Sequence, residues 1–229
     1  MRKLLVLLTA VLALVAFAAP AGARDADRTR GPDRRFALFV HRTWFRWEAG
    51  SATNPIFNGG CGEVVNGIYL APPAVDTGMR QTCVVPAGVP IAVSPAGVFS
   101  EIPTWGSNDA EVIADAEATF DLLLFSRLKV DGRRIDPYPW TISAGAYDVR
   151  IQTGSALDLF CEGVPEPCQR DFMGGEIVRM ASVGQVVLLR PLRPGRHVIR
   201  YADRFTISDV LDMTLTVHVR RACHPRAAA

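Results

Sequence analysis

Two kinds of carboxylate chemistry lie within reach of this sequence. Asp76, Thr77 and Gly78 spell the Asp-Thr-Gly triplet on which an aspartic protease carries one of two carboxylates sharing a proton. The chain has one such triplet. Met79 and Arg80 follow it where a small residue should stand, and a guanidinium so near would hold Asp76 ionised. The preceding APPA makes no apolar strand to deliver the loop. Asp-Thr-Gly is ordinary turn chemistry, so a turn is the expected state and a protease the remote alternative. Glycoside hydrolysis asks less of a sequence, since it needs two acids across a cleft and no motif. Glu63, Glu101 and Asp109 fall at loop or strand ends near Trp105, whose ring offers a sugar a face to stack on. Arg80, Glu101 and Trp105 are therefore the ligand-binding candidates, and Glu101 with a second acid is the candidate pair for a hydrolase. The competing expectation for SEIPTWGSND is a solvated loop with a partly buried tryptophan.

Other catalytic signatures are missing. There is no G-x-S-x-G elbow, no phosphate loop and no dinucleotide fingerprint. His41 falls in a helical segment, His197 and His218 fall in strands, and His224 lies in the tail, none beside an identifiable nucleophile. Cys223 and His224 are adjacent, but no C-x-x-C or H-x-x-x-H spacing completes a zinc site. No catalytic residue is assigned, and no metal or cofactor is expected.

The N-terminus says where such a site would work. Met1, Arg2 and Lys3 precede an apolar run from Leu4 to Ala19, and Ala21-Gly22-Ala23 supplies a small-residue cleavage pattern. A signal peptide cleaved after Ala23 is expected, with a secreted or periplasmic destination and no stable membrane insertion after processing. Cleavage removes Arg2 and Lys3 and no acid, leaving 23 basic side chains against 23 acidic ones. A formally neutral chain lacks the basic excess that phosphate-backbone binding requires, so nucleic acid is not an expected partner. Export permits disulfides. Cys161 and Cys168 bracket the turn-forming EGVPEP, and the simplest remaining pair is Cys61 with Cys83, leaving Cys223 alone in the tail.

The elements that must position these residues are mostly strands. Phe36, Val40, Trp44 and Trp47 recur at helical spacing with Asp33 as a cap, and Gly50 and Asn54-Pro55 end the run. The two tryptophans are expected in a core, with a sugar-stacking platform as the alternative. A second helix is expected from Asn108 or Asp109 through Val112, Ala116 and Phe120 to Leu123 or Leu124. Asp131-Gly132 marks a two-residue hairpin, and β-rich runs fill the C-terminal third. Pro86 and Gly88 set a turn that folds the strands on either side back on one another. The fold class is mainly β: a single β-sandwich-like domain with one N-terminal and one central α-helix. Its expected boundaries are a signal peptide over 1–23, a flexible N-terminus over 24–35, the domain over 36–220 and a disordered tail over 221–229.

Several segments in order carry a resemblance. Trp44-x-x-Trp47, Asn54-Pro55, Arg80-x-x-Cys83-x-Val85-Pro86-Ala87-Gly88, Glu101-x-Pro103, Val130-Asp131-Gly132 and LLRPLRPGRHVI resemble an uncharacterised family of exported bacterial proteins over roughly residues 40–200. That resemblance implies export and a compact β-rich domain but no reaction, and it puts Asp76 in a variable loop. The CEGVPEPC insert and Cys223 depart from the pattern. The expected function is a secreted, non-catalytic binding or envelope-associated module with an extracellular ligand, carbohydrate being one candidate. A carbohydrate-active hydrolase is the alternative.

Overall fold

The computed structural model describes residues 33–54, 60–159 and 174–221. The expected signal peptide, most of the N-terminal linker, the Cys161–Cys168 loop and Cys223 lie outside the described residues.

Helix α1 (Arg34–Gly50) begins where Asp33 accepts a hydrogen bond from the Arg35 N–H at 3.0 Å, one of the donors a helix start leaves over. Its Val40, Trp44 and Trp47 lie in the core as the spacing predicts, whereas Phe36, the first residue of that stripe, is exposed. The helix stops at Gly50, where a Cβ would sit 2.6 Å from the Arg150 carbonyl oxygen. Strands β1 (Glu63–Val65) and β2 (Ile68–Leu70) are joined by Asn66 and Gly67, both at positive φ. Then come β3 (Met79–Pro86), β4 (Ile91–Glu101), helix α2 (Asp109–Phe120), β5 (Leu123–Val130) and β6 (Arg133–Ile135). Strand β7 (Thr141–Arg150), the single turn α3 (Ala156–Leu159), and strands β8 (Ile177–Leu189), β9 (Gly195–Phe205) and β10 (Leu211–Arg220) complete the order.

The fold is mainly β, as expected. One five-stranded sheet, A, has the order β1-β2-β4-β8-β7, and the other, B, has the order β3-β10-β9-β5-β6. Alternation along β8 explains the layering. Val178, Met180 and Val186 face α1, whereas Val187 and Leu189 join Ile91, Val93, Leu128, Ile199, Tyr201 and Leu215 in the core between the sheets. Toward the other end of β8, Ala181 and Val183 pack under Val112 and Ala116 of α2. The paired Gly97 and Gly184 let α1 approach sheet A: a Cβ on either would come within 3.0 Å of the Phe45 ring. Among the described residues, no helix covers the outer face of sheet B. No helix among the described residues is long and apolar enough to cross a membrane.

Two local expectations need correction. The helical spacing through Leu123 or Leu124 breaks at Phe120, because β9 captures the chain there: Thr206 N–H donates to the Leu122 carbonyl at 3.0 Å and Phe120 meets Phe205 edge-on. The apolar run that follows is β5, paired with β9. The Pro86–Gly88 turn keeps its expected geometry, with Gly88 at φ +87°, but makes no hairpin. It is a corner that carries the chain from β3 in sheet B, parallel to β10, into β4 in sheet A, antiparallel to β8.

Cys61 and Cys83 form a disulfide with Cα atoms 5.6 Å apart, tying the loop before β1 to the buried side of β3. Closing a loop of that length constrains the unfolded chain by about 3 kcal/mol. A Cys61→Ser/Cys83→Ser double variant is expected to lose about that much unfolding free energy in a urea titration, and an unchanged midpoint would contradict it.

Candidate functional site

Of the three loop acids, the fold brings one into a pocket beside Trp105. Glu101 ends β4 and is 1% exposed, while Trp105, in the turn that follows, is 49% exposed. With Phe99 and Leu157 they line a pocket of about 110 Å³. Burial is the main reason the Glu101 carboxyl rises to about 7. The Thr104 and Trp105 side chains lean toward it and partly offset that rise, without reaching good hydrogen-bond geometry, and the Asp115 charge on α2 adds to it. Asp115 itself accepts a hydrogen bond from the Ser100 hydroxyl at 2.6 Å. The other two acids are engaged elsewhere. Asp109, first residue of α2, takes a two-pronged grip from Arg179 at 2.6 and 2.9 Å, and Glu63 accepts from the Thr53 hydroxyl.

Arg80 is not part of that pocket. It sits on the outward side of β3, in sheet B, whereas Glu101 and Trp105 belong to sheet A and the loop after it. The strand pairing gives Arg80 different neighbours. Arg80 is opposite Thr214 of β10, Thr214 is opposite Arg200 of β9, Arg200 is opposite Lys129 of β5, and Lys129 is opposite Arg134 of β6. Residues opposite one another across paired strands share a face. A single rung therefore crosses all five strands with a cation on four of them. Adjacent strands lie about 4.8 Å apart, so the rung is about 19 Å long.

The flanking rungs extend this cationic surface. Arg127 of β5 lies opposite Ala202, and its guanidinium covers the Phe125 ring at 4.5 Å; Arg196 lies opposite His218; Arg204 occupies a third outward position of β9. Among the described residues, none of these cations makes an ion pair. Asp131 and Asp212 share this face, and each is engaged by hydrogen bonds of its own. Asp131, in the β5–β6 turn, binds His197 Nδ1 at 2.7 Å and the Val198 N–H at 2.9 Å, and Asp212 accepts from the Gly78 N–H at 2.9 Å. A shallow depression of about 300 Å³ lies beside the β5–β6 turn, lined by Lys129, Asp131, Gly132, Val198 and Arg200.

The Asp-Thr-Gly triplet is an exposed turn at one end of this sheet. Asp76 accepts from the Thr77 N–H at 2.6 Å, the Thr77 hydroxyl donates to the Val210 carbonyl, and Gly78 has φ +71°. The acidic side chain is spent on its own turn.

A serine–histidine contact exists that the sequence did not reveal. His41 Nε2 lies 3.0 Å from the Ser182 hydroxyl, which lies 2.7 Å from the Tyr147 hydroxyl. All three side chains are sealed between α1 and sheet A. Burial, together with the nearby Arg42 charge, drives His41 down to about 3, so the ring is neutral, and the serine contact offsets only part of that. With no route for a substrate, this is a buried polar knot under a helix, in which His41 Nδ1 has no partner among the described residues. The cationic rung was likewise missed at the sequence level. Its only trace is arginine or lysine at alternate positions in β5 and at every fourth position in β9, which shows that these side chains point one way but not what lies beside them. Compared with protein-family models and with curated proteins, the chain matches none.

Proposed function

We propose that the protein is a secreted, non-catalytic binding module whose ligand is an acidic polysaccharide lying across the outer face of sheet B. The rung of Arg80, Arg200, Lys129 and Arg134 is the observation that carries this reading. Cations without an ion pair among the described residues repel one another, and a folded sheet that holds them in register stabilises an anion that can bridge them. Arginine forks take carboxylate or sulfate groups with two parallel hydrogen bonds, and the flat, strand-spaced array suits a chain whose charges recur along its length. The Thr214 hydroxyl on the same rung and the uncovered Arg127 and Arg196 on either side add polar contacts for sugar hydroxyls. The neutral balance of the chain after the expected processing favours this over nucleic acid: the surface offers one local cationic face rather than a global basic excess.

The test is titration of the purified protein with polygalacturonate, neutral dextran and duplex DNA at low and at 0.5 M salt. Polygalacturonate is expected to bind at low salt and dextran to fail. A Lys129→Glu/Arg200→Glu double variant is expected to lose at least tenfold in affinity, about 1.4 kcal/mol, with an unchanged circular dichroism spectrum. Undiminished binding by that variant, or DNA binding as tight as polygalacturonate, would overturn the reading. The hydrolase alternative rests on Glu101 with Asp115 beside it. It is read in the same tubes, where release of reducing ends that vanishes in Glu101→Gln would make the protein an enzyme.

A further inference from the structure

A second site is built where β4 loses its neighbour. Strand β2 reaches Ile91 and Ala92 of β4, and beyond them the register slips between Val93 and Ala96, with Pro95 in the gap. Proline has no N–H for a ladder, so it is tolerated at such an edge. The edge opens a slot of about 200 Å³ between α1, β4 and the β9–β10 end of sheet B. Its walls are largely hydrocarbon, including Trp44, Pro73, Pro95, Phe205 and Leu211, and two acids enter it from elements far apart in the chain: Glu48 from the last turn of α1 and Asp203 from the inward side of β9.

Both acids bring an unpaired atom. Asp203 is 6% exposed, and among the described residues neither its Oδ1 nor the buried Glu48 Oε2 has a hydrogen-bond partner. No lysine, arginine or histidine lines the slot among the described residues, so nothing there answers their charge. A buried carboxyl group left so is costly, and its retention calls for a partner such as an ion or a ligand. A divalent metal ion is a poor candidate, because calcium and magnesium ask for more oxygen ligands than two carboxyls among hydrocarbon walls supply, and no group of three or more metal-ligating side chains occurs among the described residues.

We infer that this slot binds a small organic cation, with a primary ammonium between Glu48 and Asp203 and a hydrocarbon body against Trp44, Pro95, Phe205 and Leu211. A cavity of 150 Å³ takes up benzene, so this slot suits a body of about six to eight heavy atoms. Burial raises the empty carboxyls, to about 8 for Glu48, where the Asp203 charge adds to the rise, and to about 7 for Asp203. When the ammonium enters, the carboxyl O–H bonds ionise and the protons pass to the buffer, while the amine keeps its own. This site is independent of the cationic face of sheet B and stands or falls separately.

Calorimetry at pH 7 with hexylammonium and with hexanol, its neutral counterpart, tests it in two buffers of different ionisation enthalpy. Hexylammonium is expected to bind saturably, with a heat that changes between buffers because protons are released, and hexanol at least tenfold more weakly. Asp203→Asn is expected to weaken hexylammonium by at least tenfold. Because the discrimination and the proton release are read on the unaltered protein, they decide the matter even if the variant folds poorly. Absence of saturable heat, equal affinity for the alcohol, or a buffer-independent heat would overturn the site.

Discussion

Replacing Trp44 with alanine is expected to cost about 3–5 kcal/mol of unfolding free energy, the range for deleting a large aromatic from a packed core. Trp44 is 2% exposed. Its ring meets Phe45 at 5.1 Å and Trp47 at 6.3 Å, both edge-on, and its indole N–H donates to the Ala71 carbonyl at 3.2 Å. Loss of the ring therefore leaves a void between α1 and sheet A and a carbonyl without its donor, two penalties that add. Urea denaturation should show a lower midpoint with little change in slope, since the surface exposed on unfolding is nearly the same. A loss below about 1 kcal/mol would mean that α1 does not dock on sheet A as described. The substitution also removes one wall of the slot, so its effect on hexylammonium binding is not evidence about the acids. That question belongs to Asp203→Asn.

The second large effect is on stability against pH. Glu48, Asp203 and Glu101 have folded-state values raised to about 8, 7 and 7, each chiefly by burial, against unfolded values near 4. The folded protein binds these protons more tightly than the unfolded chain, so their contribution is complete below about pH 4 and drains away as pH climbs through 7–8. His41 acts in the opposite sense. Its folded value of about 3 lies below the unfolded value of 6.5, mainly through burial, so its contribution is complete above 6.5 and lost as pH falls toward 3. Asp109 and Glu111, lowered by hydrogen bonds from Arg179 and from Ser107 respectively, also withdraw support in acid. The melting temperature should therefore peak between about pH 4 and 6.5 and fall toward pH 9. One pKa unit of difference between folded and unfolded states is about 1.4 kcal/mol, or about 3 °C in a chain of this size. A Glu48→Gln/Asp203→Asn variant should flatten the alkaline limb and leave the acid limb in place. A melting temperature that rises from pH 5 to 9 would mean that these carboxyls are ionised and solvated.

What the sequence determined by itself was local. Asp33 and Asn108 announced the two main helix starts, because a short side chain that accepts from the first N–H groups is legible wherever it precedes an apolar stripe. Alternation in β9 and β10 fixed which side chains point inward, and Asp131-Gly132, both at positive φ, fixed a hairpin, since that turn needs those residues. Sequence left the connectivity open, and Cys61 with Cys83, the simplest pair beside an expected Cys161–Cys168 loop, is the one the structure shows. The end of α2 and the corner after Pro86 were illegible, because an apolar run such as LLLF suits helix and strand alike until a partner strand competes for its backbone. Tertiary structure alone decided which side chains come together in the two proposed sites. Period two shows that Arg80, Lys129 and Arg200 leave the sheet on some face, but only the register between β3, β10, β9 and β5 sets them on one rung. Glu48 and Asp203 meet because a helix on one side of sheet A and a strand of sheet B converge at the unpaired edge of β4. That meeting is a property of how layers stack, and a linear chain holds no local pattern for it.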